Sequence, residues 1–414
     1  MKMQENPGTE RWTLSNGIRV IHRRVSSPVA HFGLFINTGS RDEKEDENGM
    51  AHFIEHVFFK GTHKRKAYHV LNRLESVGGD LNAFTTKEIT CLYATFLNAY
   101  YDRTLELISD IAFHSIFPEK ELEKEKEVII DEINSYKDSP YELIFDDFEE
   151  LVFDGHPLGR NVLGEPRNIR KFHQQDVLGF ISRNYAPEQM VLCSVGNVPT
   201  PKLQRLLDRY YGSFSSHTTP PCRSQFTGYK PATASRKKET YQTHSMLGAE
   251  GYSRRSPKRM PLLLLSNLLG GPGLNSRLNL AVREKYGYCY HIESFYQHYS
   301  DTGIWGIYTG TTNGMAYRAI DLIKRELRKL RERKLGTLQL RKAKTQLSGQ
   351  IAIQFESNLT KMMSMGKGIL MDDRVDTVDA VRRKIDAITT GELIAAANEV
   401  FDEKQLSLLM FESR

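Results

Sequence analysis

The sequence predicts an α+β protein built from two similar halves, and three observations carry that reading. The chain has 414 residues, more than one compact core usually holds. A stretch at 213–244, rich in Ser, Thr, Pro and Gly and including the basic run 236–238, shows little sustained apolar periodicity and reads as a linker. On either side of it the same order of helices and strands recurs. The expected division is a first domain at 1–212, the linker at 213–244, and a second domain of the same plan at 245–414.

In the first half, apolar helical spacing over 50–60 leads through a second helix at 68–77 to the glycine pair Gly78-Gly79. A strand-rich stretch follows at 81–97, then helices at 101–115 and 119–136. The second half repeats this order. A helix at 261–269 meets a glycine break at 270–273, and a helix at 276–284 precedes strands at 288–299 and 303–309. Helices at 315–330 and 338–355 complete it. The second members of the late helix pairs align without gaps, 122–132 against 340–350. Glu125 and Glu132 then stand opposite Ala343 and Gln350, so only the first half has kept its acids.

Composition narrows the function classes. With 39% hydrophobic, 26% charged and 10% aromatic residues, the chain reads as soluble and globular. No run approaches the roughly 18 apolar residues of a membrane span. Residues 1–12 lack the apolar stretch of a signal peptide, and 1–11 is not the Arg-rich, acid-poor segment of a mitochondrial presequence. The excess of 57 basic over 51 acidic residues is modest, and 324–334 carries Glu326 and Glu332 among its cations, as a solvated helix face does. Neither a nucleic-acid nor a membrane partner is expected. Cys91, Cys193, Cys222 and Cys289 are scattered without a CxxC pair, which fits a reducing compartment and argues against a cysteine metal site. The cluster Gly270-Gly271-Pro272-Gly273 lacks the lysine of a phosphate loop and reads as a helix stop.

The strongest local signal is His52-Phe-Ile-Glu55-His56. At about 100° per residue, positions i, i+3 and i+4 share one helical face. Two neutral imidazoles there suit a borderline-soft ion such as Zn²⁺, and the carboxylate between them can reach a water held by that ion. The order is the inverse of the more familiar zinc-protease pattern. A catalytic zinc uses three protein ligands, and Glu132, 76 residues beyond His56, is the best candidate for the third. Glu125, two turns earlier on nearly the same face, is placed to support the site from behind. Leu122, Val128, Ile129 and Ile133 form the apolar stripe that pins this helix to a core.

His52 to His56 followed by Val57-Phe58-Phe59-Lys60-Gly61-Thr62 resembles the insulinase/pitrilysin family of zinc peptidases. So do the run from Gly79 to Glu88, the run from Glu123 to Glu132, and Arg283-Glu-Lys-Tyr-Gly-Tyr-Cys-Tyr290. The resemblance is to the short bacterial branch, similar to the beta subunit of the mitochondrial processing peptidase, and it spans essentially the whole chain. It implies two homologous α/β-sandwich domains, each an antiparallel-rich sheet with helices packed on one side. It implies one Zn²⁺ per chain on His52, His56 and Glu132, with Glu55 as general base and Glu125 as supporting acid. Arg283 and Tyr290 are implied as donors to the substrate carbonyl, and Asn82, Ala83 and Phe84 as an edge against which an extended substrate pairs.

The implied activity is hydrolysis of peptides or unfolded segments inside a closed chamber. Such a chamber needs four similar domains where this chain supplies two, so a homodimer is expected, a heterodimer with an inactive homologue being the other arrangement. Bacterial cytoplasm is the expected location. A rival reading is a catalytically silent peptide-binding or scaffold subunit of the same fold. The intact set of His52, Glu55, His56 and Glu132 argues against it.

Overall fold

The computed structural model describes residues 8–215, 222–312 and 314–413. The chain divides into two compact units, one of residues 1–133, 161–223 and 354–377, the other of 134–160, 224–353 and 378–414. The first unit is built on strands β1 (Thr9–Thr13), β2 (Arg19–Arg24), β3 (Val29–Ile36), β4 (Asp80–Thr85), β5 (Thr90–Leu97) and β6 (Met190–Gly196), in the order β1-β2-β6-β3-β5-β4. The second is built on β7 (Thr233–Lys238), β8 (Thr243–Gly251), β9 (Cys289–His298), β10 (Gly303–Thr311) and β11 (Ser407–Ser413), in the order β7-β11-β8-β10-β9. In each sheet one pair is parallel, β2 with β6 and β7 with β11, and the rest are antiparallel. Leaving out β1, the two sheets have the same topology strand for strand, which is the repeat read in the sequence.

Each sheet is covered on both faces. On one face of the first sheet, Phe96 meets Tyr101 with ring centroids 5.0 Å apart and Phe32 meets Tyr211 at 6.0 Å. Phe35, Cys91, Val191 and Cys193 point the other way and pack against Met362, Met365 and Ile369 of the helix Asn358–Asp372. In the second sheet, Leu247, Trp305 and Ile307 pack with Leu262, Leu265 and Ile323, while Met246, Ile304, Tyr308 and Phe411 pack with Ile144, Phe148 and Val152. That last trio belongs to the helix Pro140–Val152. The helix after the acid-bearing one thus joins the second unit, and its counterpart in the second half joins the first. Burial on both faces explains why β3, β5 and β6 read as near-continuous apolar runs rather than alternating ones.

The repeated elements fall where their periodicity predicts, among them Met50–Val57, Ala67–Glu75, Tyr101–His114, Glu119–Lys137, Arg259–Gly270, Ala316–Glu332 and Thr337–Gln354. The helix expected at 276–284 is a π-helical segment, Asn279–Glu284. The stretch 213–244 is more than a linker, because it contains all of β7 and the start of β8; residues 216–221 of it lie outside the described residues. β7 is a largely exposed edge strand of sequence TASRKK, and an edge carrying charge has no apolar alternation to betray it. No described helix is long and apolar enough to cross a membrane.

Candidate metal centre and active site

The helix Met50–Val57 starts from Gly49, whose φ of +100° favours glycine. Met50, Phe53, Ile54 and Val57 are fully buried, which leaves His52, Glu55 and His56 to share the remaining side. The two imidazoles lie 4.7 Å apart between centroids at 64° to one another. The helix Glu119–Lys137 buries Leu122, Ile129, Ile130 and Ile133, while Val128, expected in that stripe, is exposed; its other positions bring Glu125 and Glu132 to the histidines.

His56 Nε2 lies 3.4 Å and His52 Nε2 3.8 Å from Glu132 Oε2. One ligand atom from each of these three residues lies within 4.8 Å of the others. Metal bonds of about 2.0–2.2 Å in a tetrahedron place neighbouring ligand atoms roughly 3.3–3.6 Å apart. The His56 pair falls in that range and the His52 pair just beyond it. Two imidazoles and a carboxylate are also a donor set that suits Zn²⁺. A second group, Glu119, Glu123 and His173, is wholly exposed and has none of this burial.

Behind the centre, Glu125 Oε2 lies 3.3 Å from His56 Nδ1, and Lys60 Nζ lies 2.6 Å from Glu125 Oε1. A carboxylate on the second ring nitrogen fixes the tautomer and orientation of a metal-binding histidine. Lys60 had no role in the sequence reading. Its signal was its spacing, four residues beyond His56 and so on the same side of the turn.

These contacts set the protonation of the site. Burial, then the charge of His56, pushes His52 down to about 4 against the pull of Glu132. Burial also acts to lower His56, but hydrogen bonds to Glu125 and Glu132 outweigh it and raise it to about 9. Glu125 is held low because His56 and Lys60 overcome its burial, and Glu132 is lowered chiefly by its hydrogen bond to His56. Burial raises Glu55, with a hydrogen bond to Thr85 acting the other way.

Thr85 ends β4, the edge strand of the first sheet, which pairs only with β5 among the described strands. Its hydroxyl donates to Ala51 O at 3.4 Å, so β4 runs beside the metal helix. Within β4, Asn82 is exposed, Ala83 buried and Phe84 half-buried, and the Asn82 side chain accepts the Ala83 N–H at 2.8 Å. Arg283 and Tyr290 lie in the second unit, the guanidinium 5.7 Å from the phenol ring centroid. Tyr290 is 79% exposed, and both line a cleft of about 470 Å³ with Asn279, His291 and Glu293.

The sequence matches the family model described as Insulinase (Peptidase family M16) over residues 19–166, and that described as Peptidase M16 inactive domain over 171–347. It is 31% identical to an uncharacterized zinc protease of Bacillus subtilis over 95% of this chain and 96% of that one. It is 27% identical to the mitochondrial-processing peptidase subunit beta of Saccharomyces cerevisiae, over 97% and 91% of the two chains. A crystal structure of a protease from Helicobacter pylori superposes with a TM-score of 0.92 at 22% identity, covering 98% of this chain and 99% of that one, which is the same fold. With its two-sheet repeat, its histidine–carboxylate centre and relatives named zinc proteases along nearly its whole length, the chain belongs to the insulinase family, peptidase family M16.

Proposed function

We propose that this protein is a zinc-dependent endopeptidase that hydrolyses peptides or unfolded polypeptide segments. The observation that carries the reading is the convergence of His52 Nε2, His56 Nε2 and Glu132 Oε2 from two helices distant in sequence. These residues would hold one Zn²⁺ per chain. When bound, the ion supplies Lewis-acid polarisation of the scissile carbonyl and acidifies water.

Glu55, between the two histidines, takes the proton of the attacking water and returns it to the leaving amine. Burial raises its pKa above that of an ordinary glutamate, which makes it a stronger base. The free edge of β4 at Asn82, Ala83 and Phe84 pairs with an extended substrate through main-chain hydrogen bonds, which demands little of substrate sequence. Arg283 and Tyr290 donate to the oxyanion that develops on the carbonyl. A homodimer in the bacterial cytoplasm encloses the substrate in a chamber.

The test is cleavage of a quenched fluorescent peptide library by zinc-loaded wild type and Glu55→Gln, with zinc quantified in both and mass measured by light scattering. The reading requires that wild type cleaves, and that Glu55→Gln keeps its zinc but cleaves nothing. Stoichiometric zinc without cleavage in wild type would favour the silent peptide-binding subunit, and a monomer that needs a second chain would favour the heterodimer.

A further inference from the structure

A short segment ahead of the metal helix touches both the helix and the turn that ends β4. On the turn side, Ser40 N–H donates to Thr86 O at 3.1 Å and Arg41 N–H to Lys87 O at 2.8 Å. The buried Arg41 guanidinium sits 2.8 Å from the Glu88 carboxylate. The approach is close enough that a Cβ on Gly39 would come within 2.2 Å of Thr86 O. Asp42 is gripped by Arg223 through two hydrogen bonds of 2.8 and 2.7 Å, and the same arginine donates to Glu88 O at 3.0 Å.

On the helix side stands Glu43, only 4% exposed. Its Oε1 accepts the Ala51 N–H at 2.8 Å, and its Oε2 accepts the Gly49 N–H at 3.0 Å and the Asn48 side-chain amide at 3.1 Å. The N–H groups of a first helical turn have no partner within the helix. A carboxylate placed on them satisfies them and has the favoured sign for the helix dipole. Charge-assisted bonds to two backbone groups constrain both the height of a helix end and its rotation.

We propose that Glu43 is a positioning residue for the metal centre. Anchored to the β4–β5 turn through residues 40–42, its carboxylate sets where the helix Met50–Val57 begins. It thereby sets where His52, Glu55 and His56 stand relative to Glu132 and to the substrate edge at Thr85. This rests on the zinc-peptidase reading above, and its first readout is metal affinity, which needs no turnover.

The experiment compares wild type, Glu43→Gln and Glu43→Asp. Zinc Kd is measured by chelator competition, kcat and KM at saturating zinc, and folding by circular dichroism. Glutamine offers one acceptor oxygen and turns an amide towards backbone donors, while aspartate keeps the charge and shortens the reach. Both variants are expected to weaken zinc binding by about tenfold or more, as loss of an orienting partner does. Both should lower kcat more than they raise KM even when fully metal-loaded, with aspartate the milder. A Kd within twofold of wild type and full kcat at saturating zinc, in a variant that has only lost thermal stability, would show that the cap merely stabilises the helix and would overturn the proposal. If Glu43→Gln does not fold, Glu43→Asp decides by the same criteria. Wild type that fails to bind zinc would instead bring down the peptidase reading, and this proposal with it.

Discussion

Replacing Glu125 by glutamine tests whether the centre depends on a charge that never touches the metal. The side chain keeps its size, but the acceptor on His56 Nδ1, 3.3 Å away, becomes neutral, and Lys60 loses an anion 2.6 Å from its Nζ. Removing the carboxylate partner of a metal-binding histidine costs about 10- to 100-fold in metal affinity, or roughly 1.4–2.7 kcal/mol. A separate loss of about 1–3 kcal/mol in folding stability comes from the ammonium left without its counter-charge in a half-buried setting. The two effects separate experimentally. Competition against a chromophoric chelator at constant neutral pH reads the affinity, and urea unfolding of the zinc-free protein reads the stability. Lys60→Met leaves the carboxylate on His56 and should weaken zinc by only a few-fold. If Glu125→Gln bound zinc as tightly as wild type while losing stability, the carboxylate would be a structural ion-pair member, and the account of His56 orientation would be wrong.

Three further outcomes follow from the same geometry. If Tyr290, largely exposed in the second unit, is one of the two proposed oxyanion donors, Tyr290→Phe should cut kcat by about 10²-fold with zinc content unchanged; unaltered turnover would remove Tyr290 from the chemistry. Phe148→Ala deletes a fully buried ring between the helix Pro140–Val152 and the second sheet, and should cost about 3–5 kcal/mol of stability by urea unfolding. A cost below about 1 kcal/mol would contradict that packing. His22 is fully buried with both ring nitrogens on backbone carbonyls, Ser194 O and Val198 O, and its pKa is lowered, by burial first and with those bonds acting against it. A lowered folded pKa means the unfolded chain takes up the proton first. His22 therefore costs stability as pH falls below its unfolded value of about 6.5, with a slope of at most about 1.4 kcal/mol per pH unit. The stability gap between wild type and His22→Asn should accordingly narrow on acidification, and a gap independent of pH would refute this.

The parts of the candidate site that lie within one helix are legible in the sequence because their signals are local. The spacing of His52, Glu55 and His56 is a helical period, and backbone geometry alone puts them on one face. Glu125 and Glu132 lie two turns apart on one helix, for the same reason. The contrast with Ala343 and Gln350 was visible because the halves align there. Lys60 was missed although it sits one turn past His56, since a lysine at a helix end ordinarily reads as a solvated charge. Glu43 was missed because nothing in an acidic run at 42–47 marks which carboxylate is buried.

By itself, then, the sequence determined the repeat, the type and place of most helices, and which residue types share a helical face. All of these are consequences of period and composition. Only the tertiary structure decided that Glu132 meets the histidines, that 134–160 packs with the second sheet and 354–377 with the first, and that β7 forms an edge within a stretch without apolar rhythm. Which apolar face covers which sheet depends on complementarity between segments far apart in the chain. Phe148 and Met362 sit on helices whose own pattern says only that one side must be buried, and not against what.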